Sequence, residues 1–239
     1  MLNDISAICP LLKKYGIMTV VDSVSASFGE PMRISDWQID IMCGGSQKVV
    51  SAPPGLTFVV ISDDAKKAMA ERKTPIASFY ANLTTFAHYY EEKWFPYTMP
   101  ISDIYGLRAA FNLIAGDKTL YERHARIGSA TRAAVKEAGL KLHLQSGYSN
   151  TVTVFDIPEC TDAKSILDEM RTKYNIMLAG SFDELSGKVI RIGHMGENAR
   201  LEHMVPALEA LSATLTDLGV TLQGNLADLF LKHYREFQD

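Results

Sequence analysis

Ile39-Asp40-Ile41-Met42-Cys43-Gly44-Gly45-Ser46-Gln47-Lys48 decides how the rest of this chain is read. The apolar run 39–43 has the make-up of a short buried strand. The two glycines after it predict a tight turn, where backbone comes close to another group. Lys48 then falls in an enclosed place, ahead of Val49-Val50-Ser51-Ala52-Pro53-Pro54-Gly55. Lysine normally avoids enclosure, because an ammonium ion is costly to bury. Enclosure favours the neutral amine, which is the nucleophilic form used by Schiff-base lysines. On these residues alone, a lysine that opens a solvated helix is the commoner reading.

Upstream, Gly16-Ile17-Met18-Thr19-Val20-Val21-Asp22-Ser23-Val24-Ser25-Ala26 reads as a β-branched strand ending in an aspartate, followed by a Ser-rich turn. A carboxylate at the carboxyl end of a buried strand lies where open α/β sheets bind ligands. It also suits an aspartate that caps the next turn. An Asp and a Lys at successive strand ends of one α/β unit together point to pyridoxal 5'-phosphate chemistry. The lysine would form the imine, and the aspartate would keep the pyridine nitrogen protonated so that the ring can accept electrons.

The stretches Val20-Val21-Asp22-Ser23-Val24-Ser25, Gly44-Gly45-Ser46-Gln47-Lys48 and Ala52-Pro53-Pro54-Gly55 resemble the class V aminotransferases of fold type I. The likeness is strongest to the alanine–glyoxylate/serine–pyruvate branch. Pro96-Tyr97-Thr98-Met99-Pro100 with Tyr105-Gly106-Leu107-Arg108, and Lys188-Val189-Ile190-Arg191-Ile192-Gly193-His194-Met195-Gly196, agree with it. The last stretch is also similar to pyridoxamine–pyruvate aminotransferase. The resemblance implies a transaminase that moves an amino group from a small amino acid of the alanine or serine type to a 2-oxo acid, glyoxylate or pyruvate. Pyridoxamine as donor is the alternative.

The resemblance also assigns roles. Lys48 is implied as the cofactor lysine and Asp22 as the partner of the ring nitrogen. Val24 would pack on the ring face, and Gln47 and Thr98 would contact the phosphate, Thr98 across a dimer interface. Arg191 would bind the substrate carboxylate. Val24 equally suits ordinary core, Gln47 a helix cap and Thr98 a turn cap. A lone Arg in the apolar strand Val189-Ile190-Arg191-Ile192 needs a partner, and its planar fork fits a carboxylate bidentately; a core carboxylate, or a place on an exposed strand face, would serve as well. The branch's phosphate tyrosine stands three residues before the threonine, where this chain has Phe95, and Tyr97 is the candidate substitute. His194 reads as a loop histidine.

The expected architecture is α/β: residues 1–120 as part of a large domain with a mostly parallel sheet, and 121–239 as a small α+β domain. Strands are predicted at 17–22, 39–43 and 56–61, then at 141–144, 151–155, 176–178 and 189–192. Helices are predicted over 2–15, with Pro10 forcing a kink or a late start, and over 63–72, 102–115, 118–138, 163–174, 198–218 and 226–237. The aromatic stretch 73–100 suits a cover over a site or an interface.

Neither a Gly-rich phosphate turn nor a stacking aromatic precedes Asp22, so the family's front half is expected to be missing. The partner expectations are accordingly a homodimer, possibly joined by a complementary N-terminal chain. Without that chain, poor cofactor binding and no activity are expected, which leaves an inactive fragment or an interaction subunit as the reading from another class.

With 24 Lys+Arg against 28 Asp+Glu, charge gives no reason to expect nucleic acid or an anionic membrane as partner. The longest apolar run, 56–61, is too short to span a bilayer, and the first four residues lack the marks of a signal peptide. Cys9, Cys43 and Cys160 show no zinc spacing, nor do the six histidines, so no metal is expected. Reduced thiols point to a cytoplasmic protein.

Overall fold

The computed structural model describes residues 1–237 as a mixed α/β chain that divides into two compact units. The first comprises residues 4–24 and 32–113; the second comprises 1–3, 25–31 and the described residues from 114 on.

In the first unit, α1 (Ile5–Lys14) leads to a sheet of β1 (Val20–Asp22), β2 (Ile41–Gly45) and β3 (Thr57–Ile61), in that order. The α1 helix starts where Asp4 accepts a hydrogen bond from the Ala7 amide at 3.2 Å, and it runs through Pro10 to Lys14. β1 and β2 are parallel, in register Val20↔Ile41 and Asp22↔Cys43. β2 and β3 are antiparallel. The connection 46–56 between them is shorter than the roughly twelve residues a parallel crossover needs. The predicted parallel character therefore covers only one of the two described pairs.

The glycines lie within β2 and do not form a turn after it. Gly44 faces Phe58 across the ladder, and a Cβ there would lie 2.1 Å from the Phe58 ring. The strand runs on past Cys43 because a ring, not a bend, occupies the space a side chain would take.

Buried Asp40 ties this unit together. Its carboxylate accepts from the Lys13 ammonium at 2.5 Å, the Thr19 amide at 3.0 Å and the Ser62 hydroxyl at 3.2 Å. Burial works against its charge, but Lys13 and Thr19 outweigh burial and hold the carboxyl below its usual range. The helix α2 (Asp63–Ala70) follows β3, capped by Ser62. An aromatic segment then leads to α3 (Ile101–Gly116), whose residues through Leu113 belong to this unit.

In the second unit, α4 (Leu120–Glu137), α5 (Ala163–Tyr174), α6 (Leu201–Asp217) and α7 (Leu226–Glu236) accompany an antiparallel pair, β4 (Val152–Asp156) and β5 (Val189–Gly193). Phe155, Ile166, Met170, Ile190, Leu211 and Phe230 are fully buried between them. The strands predicted at 141–144 and 176–178 are reduced to single bridges, Leu142↔Phe155 and Ala179↔Arg191. Each segment pairs locally, His143 N–H to Val154 O at 3.0 Å and Arg191 N–H to Ala179 O at 2.7 Å, and adds no longer ladder. No described helix is long and apolar enough to cross a membrane, and no described cluster of His, Cys, Asp and Glu could hold a metal ion.

Candidate active site

Parallel pairing of β1 with β2 brings the carboxyl ends of two strands side by side, and four of the predicted residues emerge from those ends. Asp22 is the last residue of β1 and is exposed. Its Oδ1 accepts from the Val24 amide at 2.9 Å, so the turn after the strand orients the carboxylate and leaves Oδ2 open. Ser23 holds the same turn to β2, donating from its amide at 2.9 Å and its hydroxyl at 2.7 Å to the Cys43 carbonyl.

On β2, Gly45 forms the floor between two side chains. A Cβ there would stand 2.7 Å from Gln47 Oε1 and 3.3 Å from Val24 Cγ1. Val24 and Gln47 thus converge over a residue with no side chain of its own. Lys48 is half-buried, and its amine makes no hydrogen bond or ion pair among the described residues. Asp22 and Lys48 are not paired with each other.

A carboxylate, a branched apolar side chain, a primary amide and a free amine at one sheet end, over a glycine floor, fit a substituted pyridine. Asp22 would meet the ring nitrogen, Val24 the ring face, Gln47 the phosphate and Lys48 the carbonyl carbon.

Thr98 is exposed, at the end of the aromatic segment. In that segment the rings of Phe86, Phe95 and Tyr97 pack together, with centroids 5.8–6.1 Å apart. The Tyr97 hydroxyl donates to the Tyr80 carbonyl at 2.8 Å and lies 3.2 Å from that of Phe79. It is committed to main chain, and Phe95 has no hydroxyl, so neither presents a phenol to a phosphate here.

Arg191 belongs to the second unit, in the middle of β5 opposite Val154. Its Nε donates to the Gly180 carbonyl at 2.5 Å, and its guanidinium carbon lies 5.8 Å from the Phe182 ring centroid. Among the described residues it makes no ion pair, so the alternative of a core carboxylate partner is not what the structure shows. Its two terminal nitrogens make no hydrogen bond among the described residues. Arg191→Lys keeps a charge but loses the fork; the expected outcome is a 10- to 100-fold higher KM for the amino acid, about 1.4–3 kcal/mol of binding. An unchanged KM in steady-state kinetics would remove Arg191 from the site.

Sequence reasoning missed the groups that fix the surroundings of Arg191. His194, three residues on, is fully buried: its Nδ1–H donates to the Asn150 carbonyl at 2.9 Å, and its Nε2 accepts from the Thr153 hydroxyl at 2.9 Å. Buried His124 on α4 donates to the Leu120 carbonyl at 2.7 Å and accepts from the Gly196 amide at 2.9 Å. Burial pushes the His194 imidazole down to about 3 and lowers that of His124. Two neutral imidazoles thus hold both sides of the 193–196 turn.

Glu30, also buried, accepts from the Ser149 hydroxyl at 2.9 Å, from the Asn150 side chain at 3.1 Å and from the Asn150 amide. This anchors 25–31, the segment that begins one residue after Val24. No local pattern marks these groups, because each has at least one partner far along the chain.

The Aminotransferase class-V family model matches residues 1–180, and the chain belongs to that family. It is 35% identical over 243 residues to the serine–glyoxylate aminotransferase of Arabidopsis thaliana, which covers 97% of this chain and 60% of that protein. Among solved structures, the ureidoglycine–glyoxylate aminotransferase of Bacillus subtilis superposes with a TM-score of 0.92 at 29% identity, covering 98% of this chain and 62% of that one. The pyridoxamine–pyruvate aminotransferase of Mesorhizobium loti gives 0.91 at 31% identity, covering 98% and 61%. The chain thus spans about three-fifths of the length of these relatives.

Proposed function

We propose that this chain carries the lysine and the carboxylate-binding arginine of a pyridoxal-phosphate-dependent transaminase. It would move an amino group from a small amino acid, alanine or serine, to glyoxylate or pyruvate. The observation that carries this reading is the parallel β1–β2 pair, which sets Asp22 and the Lys48 loop at one sheet end with Val24, Gly45 and Gln47 between them. The names of the relatives, serine–glyoxylate aminotransferase among them, support it.

When bound, the cofactor supplies a carbonyl that takes up amines and a ring that accepts electrons. The chain's own residues do the rest. Asp22 would keep the ring nitrogen protonated, and Val24 would cover one ring face. Gln47 would hold the phosphate, with Thr98 reaching it across a dimer interface. Arg191 orients the substrate through its carboxylate. The Lys48 amine would hold and move the proton at the substrate Cα, as base and then acid.

A homodimer is the assembly we propose. It is supported by the apolar residues left exposed on the first unit, among them Leu11, Tyr15, Val20 and Tyr105. Three free thiols among the described residues support a cytoplasmic setting. The pyridoxamine–pyruvate reading is the alternative, supported by the structural likeness to that enzyme.

The test is borohydride reduction in the presence of pyridoxal phosphate, with peptide mapping, followed by assay of alanine, serine, aspartate and pyridoxamine as donors. Both are run with and without a candidate N-terminal polypeptide. Label on Lys48 and turnover of alanine or serine are the expected results. Turnover of pyridoxamine alone would select the second reading. No label and no turnover in either preparation would end the transaminase reading.

A further inference from the structure

We propose that Ser46 is the positioning residue for Lys48: its buried hydroxyl closes the 46–56 loop on itself, and that closure sets where the lysine amine stands. The inference rests on the transaminase reading of Lys48.

Ser46 follows the last residue of β2 and is 0% exposed, and each of its polar groups is engaged. Its amide donates to the Leu56 carbonyl at 3.0 Å, and its carbonyl accepts from the Ala52 amide at 2.9 Å. The hydroxyl donates to the Pro53 carbonyl at 2.6 Å and accepts from the Leu56 amide at 3.3 Å. One small side chain therefore joins the outgoing and returning limbs of the loop.

Within the loop, the Lys48 carbonyl accepts from the Ser51 amide at 2.9 Å, and Val49 and Val50 are buried. The Lys48 backbone is bracketed by an anchored residue two positions before it and two more directly after. Ser51 adopts φ +58°, a left-handed conformation rare for residues other than glycine. Such backbone persists where the surroundings over-determine it, and the Ser46 bonds are part of what does so. Without the hydroxyl, the Leu56 amide loses its acceptor while the two main-chain bonds of Ser46 remain. The loop should loosen without the unit unfolding.

Ser46→Ala is compared with the parent in the preparation that supports turnover. Amide exchange at Leu56 should quicken about tenfold or more. The kcat should fall by roughly 10- to 100-fold, as expected when a reacting group is misplaced, with the amino-donor KM within about twofold. Ser46→Thr, which keeps the hydroxyl, should restore kcat. In a Lys48→Ala background rescued with methylamine, adding Ser46→Ala should leave the rescued rate unchanged, because the serine acts through the lysine.

An unchanged kcat despite faster exchange would overturn the proposal, as would an equal loss in the rescued background. A parent that takes no cofactor onto Lys48 and never turns over sinks the transaminase reading itself. That result is distinct from an active parent indifferent to Ser46, and exchange at Leu56 reports loop closure in either case.

Discussion

Lys48→Arg should lower kcat for transamination by roughly 10³- to 10⁴-fold and abolish borohydride-fixed label at position 48. Arginine keeps a cation on a stem of similar length, so gross electrostatics at the sheet end change little. Its guanidinium stays protonated and forms no comparable imine. Both functions assigned to the amine, covalent capture and proton transfer, are lost together. The Lys48 amine has no partner to strand among the described residues, and the residue is only half-buried. The melting temperature should therefore stay close to that of the parent, because no buried hydrogen bond is broken. Steady-state kinetics and peptide mapping on the same preparation separate this outcome from a folding defect. A variant retaining a tenth or more of the parent kcat would show that proton transfer runs through another group, and the assignment of Lys48 would fall.

How much of this site could be read in the sequence depends on the distance over which each feature is determined. The strand ends that carry Asp22 and lead to Lys48 were legible because strand ends show in short windows of apolar residues and glycines, whereas Val24 and Gln47 were marked only by the family resemblance. The exact place of the glycines was not legible. Gly44 belongs to β2 because Phe58 lies against it across the ladder, and a ring fourteen residues away leaves no mark on the local pattern. The same holds for Glu30, whose partners Ser149 and Asn150 lie on a distant turn. Tyr97 reads as a free phenol until its hydroxyl is seen bonded to the Tyr80 carbonyl. Strands at 141–144 and 176–178 had a suitable composition, but composition does not report how long a neighbouring edge runs alongside. Helix starts were legible where a side chain caps them: Asp4, Ser62, Asp162 and Asn225 each accept from an amide two or three residues on. By contrast, α3 begins at Ile101 and not at the predicted 102, and α6, with no such side-chain bond, at Leu201 and not at the predicted 198.

Acid should weaken this chain well before its carboxylates titrate, and His194 should account for much of the loss. Burial holds the folded-state imidazole neutral down to about 3, and the charges of Arg132 and His124 act in the same direction against the hydrogen bond to Asn150. In the unfolded chain the same ring takes its proton near 6.5. As pH falls, protons therefore bind the unfolded chain first. The stabilisation is complete above about pH 6.5 and is lost progressively toward the folded value, at up to ~1.4 kcal/mol per pH unit. His124, lowered first by burial, adds a slope of the same sign. Asp40, Asp117 and Asp156 are also held low, each by ion pairs and hydrogen bonds that outweigh its burial. Their contribution disappears only below about pH 4, so the window between about 6.5 and 4.5 belongs to the imidazoles. Urea unfolding at about pH 7 and about pH 5 should show the parent losing ~2 kcal/mol to His194 alone. His194→Gln removes the titrating ring and leaves Asn150 or Thr153 short of a partner. It should be less stable by ~2–3 kcal/mol near neutrality, yet lose less stability on acidification by about one proton's worth of slope. Parallel pH curves for parent and variant would mean that the buried imidazole is not excluded from protonation, and that the 193–196 turn beside Arg191 does not depend on its neutrality.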